Sequence, residues 1–141
     1  MTKIKYKSVV KKYGLFFIVV GLFIFLFTTF YKKGVKDVSP KFSVSAENVV
    51  SQFHNNEIEA TEKYSNTIIE VYGRIKKISH LNNRRTIILQ GNSSSAIICD
   101  LDDAEYINID TLKINQQLYI KGICKGYLKD VVLLNCFIKT E

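Results

Sequence analysis

Between Lys12 and Lys32 the sequence has no charged residue. This absence, nineteen residues long, gives the run 13–31 a helical length of roughly 28 Å at 1.5 Å rise per residue, close to the hydrocarbon thickness of a bilayer. The run also lacks a polar stripe: Phe, Ile, Val and Leu occupy every face, which excludes a soluble helix buried along one side. It lacks a small-residue cleavage site, since Thr28-Thr29-Phe30 stands where a signal peptide would need one. No cysteine lies near its end to carry a lipid. C-x-x-C is missing as well, and the two histidines are far from the three cysteines in sequence, which argues against zinc. His54 and His80 have no serine or cysteine nucleophile placed with them by a motif, so a hydrolytic triad is not expected. No catalytic or cofactor motif is present, and the chain is read as a non-enzyme without metal or cofactor.

What remains is an anchor and one small domain. Residues 1–12 form a basic tail, 13–31 a transmembrane helix with Tyr13 and Tyr31 at its ends, and 32–44 a linker holding the only proline, Pro40. Residues 45–141 form the domain. The formal charge of +7 belongs to the anchor: nine of the twenty basic residues lie in the tail and linker, against one acid, Asp37. From Phe42 onward eleven Lys and Arg face twelve Asp and Glu, a net of −1. The high pI therefore reflects lysines that meet lipid headgroups and not a nucleic-acid surface. More lysines precede the span than follow it, which favours a cytoplasmic N-terminus. The reading is a single-pass signal anchor of the cytoplasmic membrane with the domain on the extracytoplasmic side.

Within the domain, Ser45 reads as a helix N-cap, and Ala46, Val49, Val50 and Phe53 follow the i, i+3, i+4, i+7 rhythm. That helix is expected to run to about Lys63, with Ala60 and Tyr64 on its packing side and a weak point at Asn55-Asn56. Strands are expected at 67–78, 85–90, 96–101, 118–124 and 131–138 from period-two alternation. Gly73 interrupts the first where a barrel strand bends. Asp102 to about Leu112 reads as a short helix with aspartate caps. Three strands, a short helix and two strands is the element order of a five-stranded OB-fold barrel; another small five-stranded barrel is the alternative.

The stretch Ala60…Lys63-Tyr64…Ile69-Glu70-Val71-Tyr72-Gly73-Arg74-Ile75 resembles the start of the tRNA-anticodon-domain-like (tRNA_anti-like) OB-fold family. So do Ile98-Cys99-Asp100-Leu101, Lys121-Gly122-Ile123-Cys124-Lys125-Gly126 and Asp130-Val131-Val132-Leu133-Leu134-Asn135-Cys136. The resemblance covers roughly residues 45–139. It implies a bacterial exported lipoprotein or membrane-anchored protein with an OB fold and no established activity. Two departures stand out: there is no lipidation cysteine, and Asn115-Gln116-Gln117 occupies a turn where a glycine is expected.

Strand alternation puts all three cysteines inside: Cys99 with Ile97 and Leu101, Cys124 with Leu118 and Ile120, Cys136 with Val132 and Leu134. They are either small buried hydrophobes or, in an oxidising compartment, a disulfide, with Cys124–Cys136 and Cys99–Cys136 the candidate pairs. Asp100, Asp102, Asp103 and Glu105 lack the glycine and distal glutamate of a calcium loop, so helix capping accounts for them. The OB binding face is expected on the second and third strands with the loops after the first and fourth. Arg84 and Arg85 fall in the first of those loops, Lys125 and Tyr127 in the second. A basic pair with one aromatic suits stacking on single-stranded nucleic acid, which is the alternative function. Against it stands the net charge of −1, so the preferred partner is a protein or peptide of the cell envelope.

Overall fold

The computed structural model describes residues 18–23, 34–92 and 94–139. Residues 18–23 are helical and exposed; the rest of the expected tail and span, 1–17 and 24–31, lies outside the described residues. Among the described residues no helix is long and apolar enough to cross a membrane. Residues 35–141 form one compact unit and residues 1–34 another.

The larger unit is built on one long strand. In chain order its elements are β1 (Phe42–Ser45), α1 (Ala46–Asn55), α2 (Glu57–Tyr64), β2 (Ile68–Leu81), β3 (Arg84–Gln90), β4 (Ala96–Leu101), β5 (Gln117–Tyr127) and β6 (Val131–Ile138). Strands β2, β3, β4, β6 and β5 pair in that order, and β2 pairs again with β5, which closes a five-stranded barrel. The hand-over happens inside β2. Ile68 to Arg74 lie against β5, and Ile75 to Leu81 against β3, with a register shift between Ile75 and Lys77. A bulge bends a strand and increases its twist, which lets one strand serve two neighbours. The two-residue turn Asn82-Asn83 has φ of 50° and 62° at its two positions, the hairpin geometry that Asn tolerates well.

Strand periodicity then puts Ile69, Val71, Ile75, Ile87, Leu89, Ile97, Cys99, Ile120, Cys124 and Leu133 inside, each fully buried. One end of the barrel is plugged by α1. Its Val49, Val50 and Phe53 are at most 1% exposed, and burying such side chains contributes about 1.5–3 kcal/mol each. Gly73 and Gly91 explain how the helix comes so close. A Cβ on Gly73 would lie 2.8 Å from Ala46 Cβ, and one on Gly91 would lie 2.7 Å from Val50 Cγ2. Gly73 therefore admits the helix, and the bend expected there falls at the bulge two to four residues later.

Four expectations are corrected. The single helix to Lys63 is two helices broken at Asn56, whose N–H still donates to Gln52 O at 3.0 Å while its side chain accepts from Glu59 N–H at 3.2 Å. Asn56 thus ends one helix and caps the next. Within the expected linker 32–44, Val35–Asp37 is a 3-10 turn with Val35 buried, and Phe42–Ser45 is a strand parallel to β2. No α-helix forms over 102–112, only a 3-10 turn at Ile109–Thr111. The carbonyls that a helix would use there are taken by Arg85, which donates to Glu105 O at 2.5 Å, Asp102 O at 2.8 Å and Asp103 O at 3.5 Å. Finally, Val132 and Leu134 are half-buried on the outer side, not inside with Cys136. Asn135, at φ 53°, is an extra residue in β6: Cys99 pairs with Leu133 while Leu101 pairs with Cys136. One extra residue reverses which face the following side chains take. At the turn lacking the expected glycine, Asn115 itself adopts φ 67°.

The inward Cys136 rests on Gly122, where an added Cβ would meet Cys136 Sγ at 2.5 Å and Leu134 O at 3.2 Å. Gly122→Ala is expected to destabilise by about 1–3 kcal/mol through overpacking. With Cys136→Ala already present, the cost of Gly122→Ala falls by at least about 0.5 kcal/mol, since the two sites share the contact. Urea unfolding of the four proteins in the cycle measures this; strict additivity would refute the contact.

Candidate ligand-binding face

OB barrels take ligands on the outer surface of their second and third strands, here β3 and β4. Inward Ile87 and Leu89 leave Thr86, Ile88 and Gln90 facing out on β3; inward Ile97, Cys99 and Leu101 leave Ile98 and Asp100 on β4. The register aligns them. Ile88 lies opposite Ile98, and Ile98 opposite Val132 of β6. With neighbouring strands about 4.8 Å apart, the three form an aliphatic row roughly 10 Å long, each half-buried. Lys77 pairs with Ile88 at one end, and Leu134 lies two residues along from Val132 at the other. Thr86 faces Asp100 on the polar flank. None of these side chains is aromatic.

The residues expected to bind are placed nearby, but each has an internal occupation. Arg84 opens β3 and forms an ion pair with Asp100. Arg85 reaches the carbonyls of the 102–105 loop, as described above, so its guanidinium holds that loop against the barrel. Tyr127 stacks on Phe53 of α1, with centroids 5.6 Å apart and planes 16° from parallel, and its hydroxyl lies 3.0 Å from Ser95 Oγ. It is a joint between plug and barrel, not an open stacking platform. Lys125 donates to Asn66 Oδ1 at 3.0 Å. Of the four, Arg84 and Lys125 keep exposed charge; they are not brought together on one face with Tyr127.

The acidic stretch is likewise consumed. Asp102 Oδ1 accepts from Ala104 N–H at 2.9 Å, and the buried Glu105 accepts from Ile138 N–H at 2.9 Å and Ile107 N–H at 3.3 Å. These are loop and strand-end caps. His54 and His80 lie on α1 and β2, on different elements.

All three cysteines are buried free thiols. Neither candidate disulfide is formed; Cys124 faces Leu133 across the hairpin, while Cys136 lies beside Cys99. Burial pushes the Cys124 thiol above its ordinary value of 9.0. It does the same more strongly at Cys136, where the Cys99 contact adds to the rise.

The aliphatic row was half legible. Inward Ile87 and Leu89 imply an outward Ile88, and inward Cys99 implies an outward Ile98. Val132 and Leu134 were hidden because the bulge at Asn135 leaves no mark in a period-two reading.

Two outcomes test these placements. Arg85→Ala strips hydrogen bonds from three loop carbonyls and should lower stability by about 1.5–3 kcal/mol, the range for bonds to charged groups. Arg84→Ala removes a solvent-exposed ion pair and should cost under about 1 kcal/mol; equal costs in denaturant melts would reassign Arg85 to the surface. For the thiols, a folded pKa above the unfolded one means stability is fully present below the ordinary thiol value and is lost as pH rises past about 9. The urea midpoint should fall between pH 8.5 and about 10.5 more steeply than in Cys124→Ala/Cys136→Ala, and matching slopes would contradict the burial effect.

A search of curated proteins returns no match. Among solved structures 22 chains match. One is a lipoprotein of Klebsiella pneumoniae subsp. pneumoniae MGH 78578, whose given name proposes that it binds nucleic acid. It superposes with a TM-score of 0.56 at 14% identity, covering 69% of this chain and 91% of that one. At that identity the likeness establishes the barrel fold. The profile of the tRNA_anti-like family matches residues 1–138, nearly the whole sequence. With its closed five-stranded barrel and this match, the chain belongs to the tRNA_anti-like family.

Proposed function

We propose that this protein is a non-enzymatic binding module held at the cytoplasmic membrane by residues 13–31, with its barrel on the extracytoplasmic side. Its partner is a protein or peptide segment of the envelope, taken on the outer face of β3, β4 and β6. The observation that carries the reading is the in-register row Ile88, Ile98 and Val132, apolar and half-exposed where OB barrels take their ligands. Single-strand binders place aromatic rings there and line the groove with cations. This face offers aliphatic side chains suited to an apolar side chain of a partner, with Lys77, Thr86 and Asp100 as a polar rim. Charge supports the same choice. A domain at −1 from Phe42 onward has no general field for a polyanion, and Arg85 and Tyr127 are occupied internally.

A nucleic-acid ligand, as the name of the Klebsiella lipoprotein proposes for that protein, is the competing outcome. The two are separated by photo-crosslinking in cells, with a benzophenone amino acid in place of Ile98 in the full chain. Ile58, exposed on α2 and on none of the three strands of the row, serves as the control position. The expected result is discrete adducts from position 98 that resist nuclease, vanish with protease and exceed those from position 58 by about tenfold. Nuclease-sensitive adducts would establish the competing reading, and equal yields at both positions would remove the face.

A further inference from the structure

Beside the tether a cleft of about 420 Å³ opens on the outside of β2, β5 and β6, within the ~300–1,000 Å³ usual for small-ligand sites. Lys36, Ser39, Glu70, Lys121, Phe137 and Lys139 are among its lining residues. Its origin is the bulge in β6. After Asn135 the side chain of Phe137 points outward, and the tether covers it, so that Phe137 is only 7% exposed. Lys36 Nζ lies 5.8 Å from the centre of the Phe137 ring. Lys121 fastens the tether by donating to Lys36 O at 2.6 Å and Val38 O at 3.0 Å.

The charges in the cleft are unequally engaged. Glu70 is 8% exposed and fully committed, accepting from the Ser43 hydroxyl at 2.9 Å and pairing with Lys139 Nζ at 3.3 Å. Asp37 also lines the cleft and is exposed, as Lys36 is. Lys36 has no ion-pair partner among the described residues. Lys121 uses two of its three donors on the tether carbonyls. The lining thus carries three lysines, Lys36, Lys121 and Lys139, against two carboxylates, Asp37 and Glu70, a formal excess of one positive charge. That is the arrangement for an oxyanion such as a phosphate, bound by charge-assisted hydrogen bonds.

The chain itself says where that phosphate comes from. Residues 32–34 alone separate the apolar run ending at Tyr31 from the docked Val35. Four residue steps extend at most about 14 Å, so chain length alone bounds how far Val35 can lie from the end of the apolar run. Two of those three intervening residues, Lys32 and Lys33, are themselves basic. We infer that the cleft formed by Lys36, Lys121 and Lys139 takes the headgroup phosphate of an anionic phospholipid in the membrane entered by residues 13–31. The inference rests on the anchoring proposed above.

The test is lysine acylation of the full chain in nanodiscs, read residue by residue by mass spectrometry. Three preparations are compared: phosphatidylcholine discs, phosphatidylglycerol discs, and phosphatidylcholine discs with 10 mM inorganic phosphate. Lys36 and Lys139 should be labelled at least about threefold more slowly in phosphatidylglycerol than in phosphatidylcholine. Lys77 and Lys129 should be labelled equally in all three, and free phosphate should not reproduce the protection. Equal labelling of Lys36 and Lys139 in both lipids overturns the site while leaving the anchor standing. Protection by free phosphate alone, or uniform slowing of all four lysines, overturns lipid recognition at this cleft. A chain that enters neither disc overturns the anchor and the site together.

Discussion

Everything in the domain depends on β2 satisfying two neighbours along one backbone. Its first half completes a ladder with β5 and its second half with β3, so the barrel has no open seam along this strand. If β2 ran straight, one partner would be left with a row of unpaired amides, each expensive when buried. The bulge after Ile75 resolves this. Closure in turn leaves a barrel end that five strands cannot fill. The sequence upstream supplies α1 to fill it, and glycines at 73 and 91 let the helix seat against the strand backbones. Strand, plug and glycines are thus one solution to a single geometric problem.

The same economy governs polar groups. Arg85, Glu105 and Tyr127 look chemically promising in sequence, yet each is spent on the fold: Arg85 on loop carbonyls, Glu105 on the amide of Ile138, Tyr127 on Ser95 and Phe53, just as Asp130 is spent on the amide of Ala96. Small barrels have many strand ends and few regular elements to satisfy them. Side chains near the loops are recruited for that purpose first. A face that must remain available for a partner is therefore the one with the least internal work to do, and on this barrel that is the outer surface of β3, β4 and β6.

Most of the architecture could be read from residue patterns. The alternation in β2 to β5, the rhythm of α1 and the Ser45 cap all depend on contacts within a few residues, which periodicity reports directly. What could not be read depends on distant partners. The 102–112 segment has helical spacing, but Arg85, seventeen residues upstream of Asp102, claims its carbonyls. Strand β1 contains only four residues and pairs in parallel with β2, a contact across a two-helix insertion that no local pattern encodes. Of the binding surface, Ile88 and Ile98 follow from alternation alone. Val132, Leu134 and the outward Phe137 do not, because a single extra residue carries no signature in composition.

That residue, Asn135, gives β6 two phases. Before it the odd-numbered positions 131 and 133 belong to the core; after it the even-numbered positions 136 and 138 do. The strand therefore contains two grammars of acceptable substitution joined at one point, and mutational tolerance along it cannot be described by one alternating rule. Loss of that one residue would leave hydrophobicity nearly unchanged. It would nonetheless move Cys136 to solvent, turn Phe137 into the barrel and uncover the bed on which the tether lies. For this strand the spelling of the sequence matters less than its count.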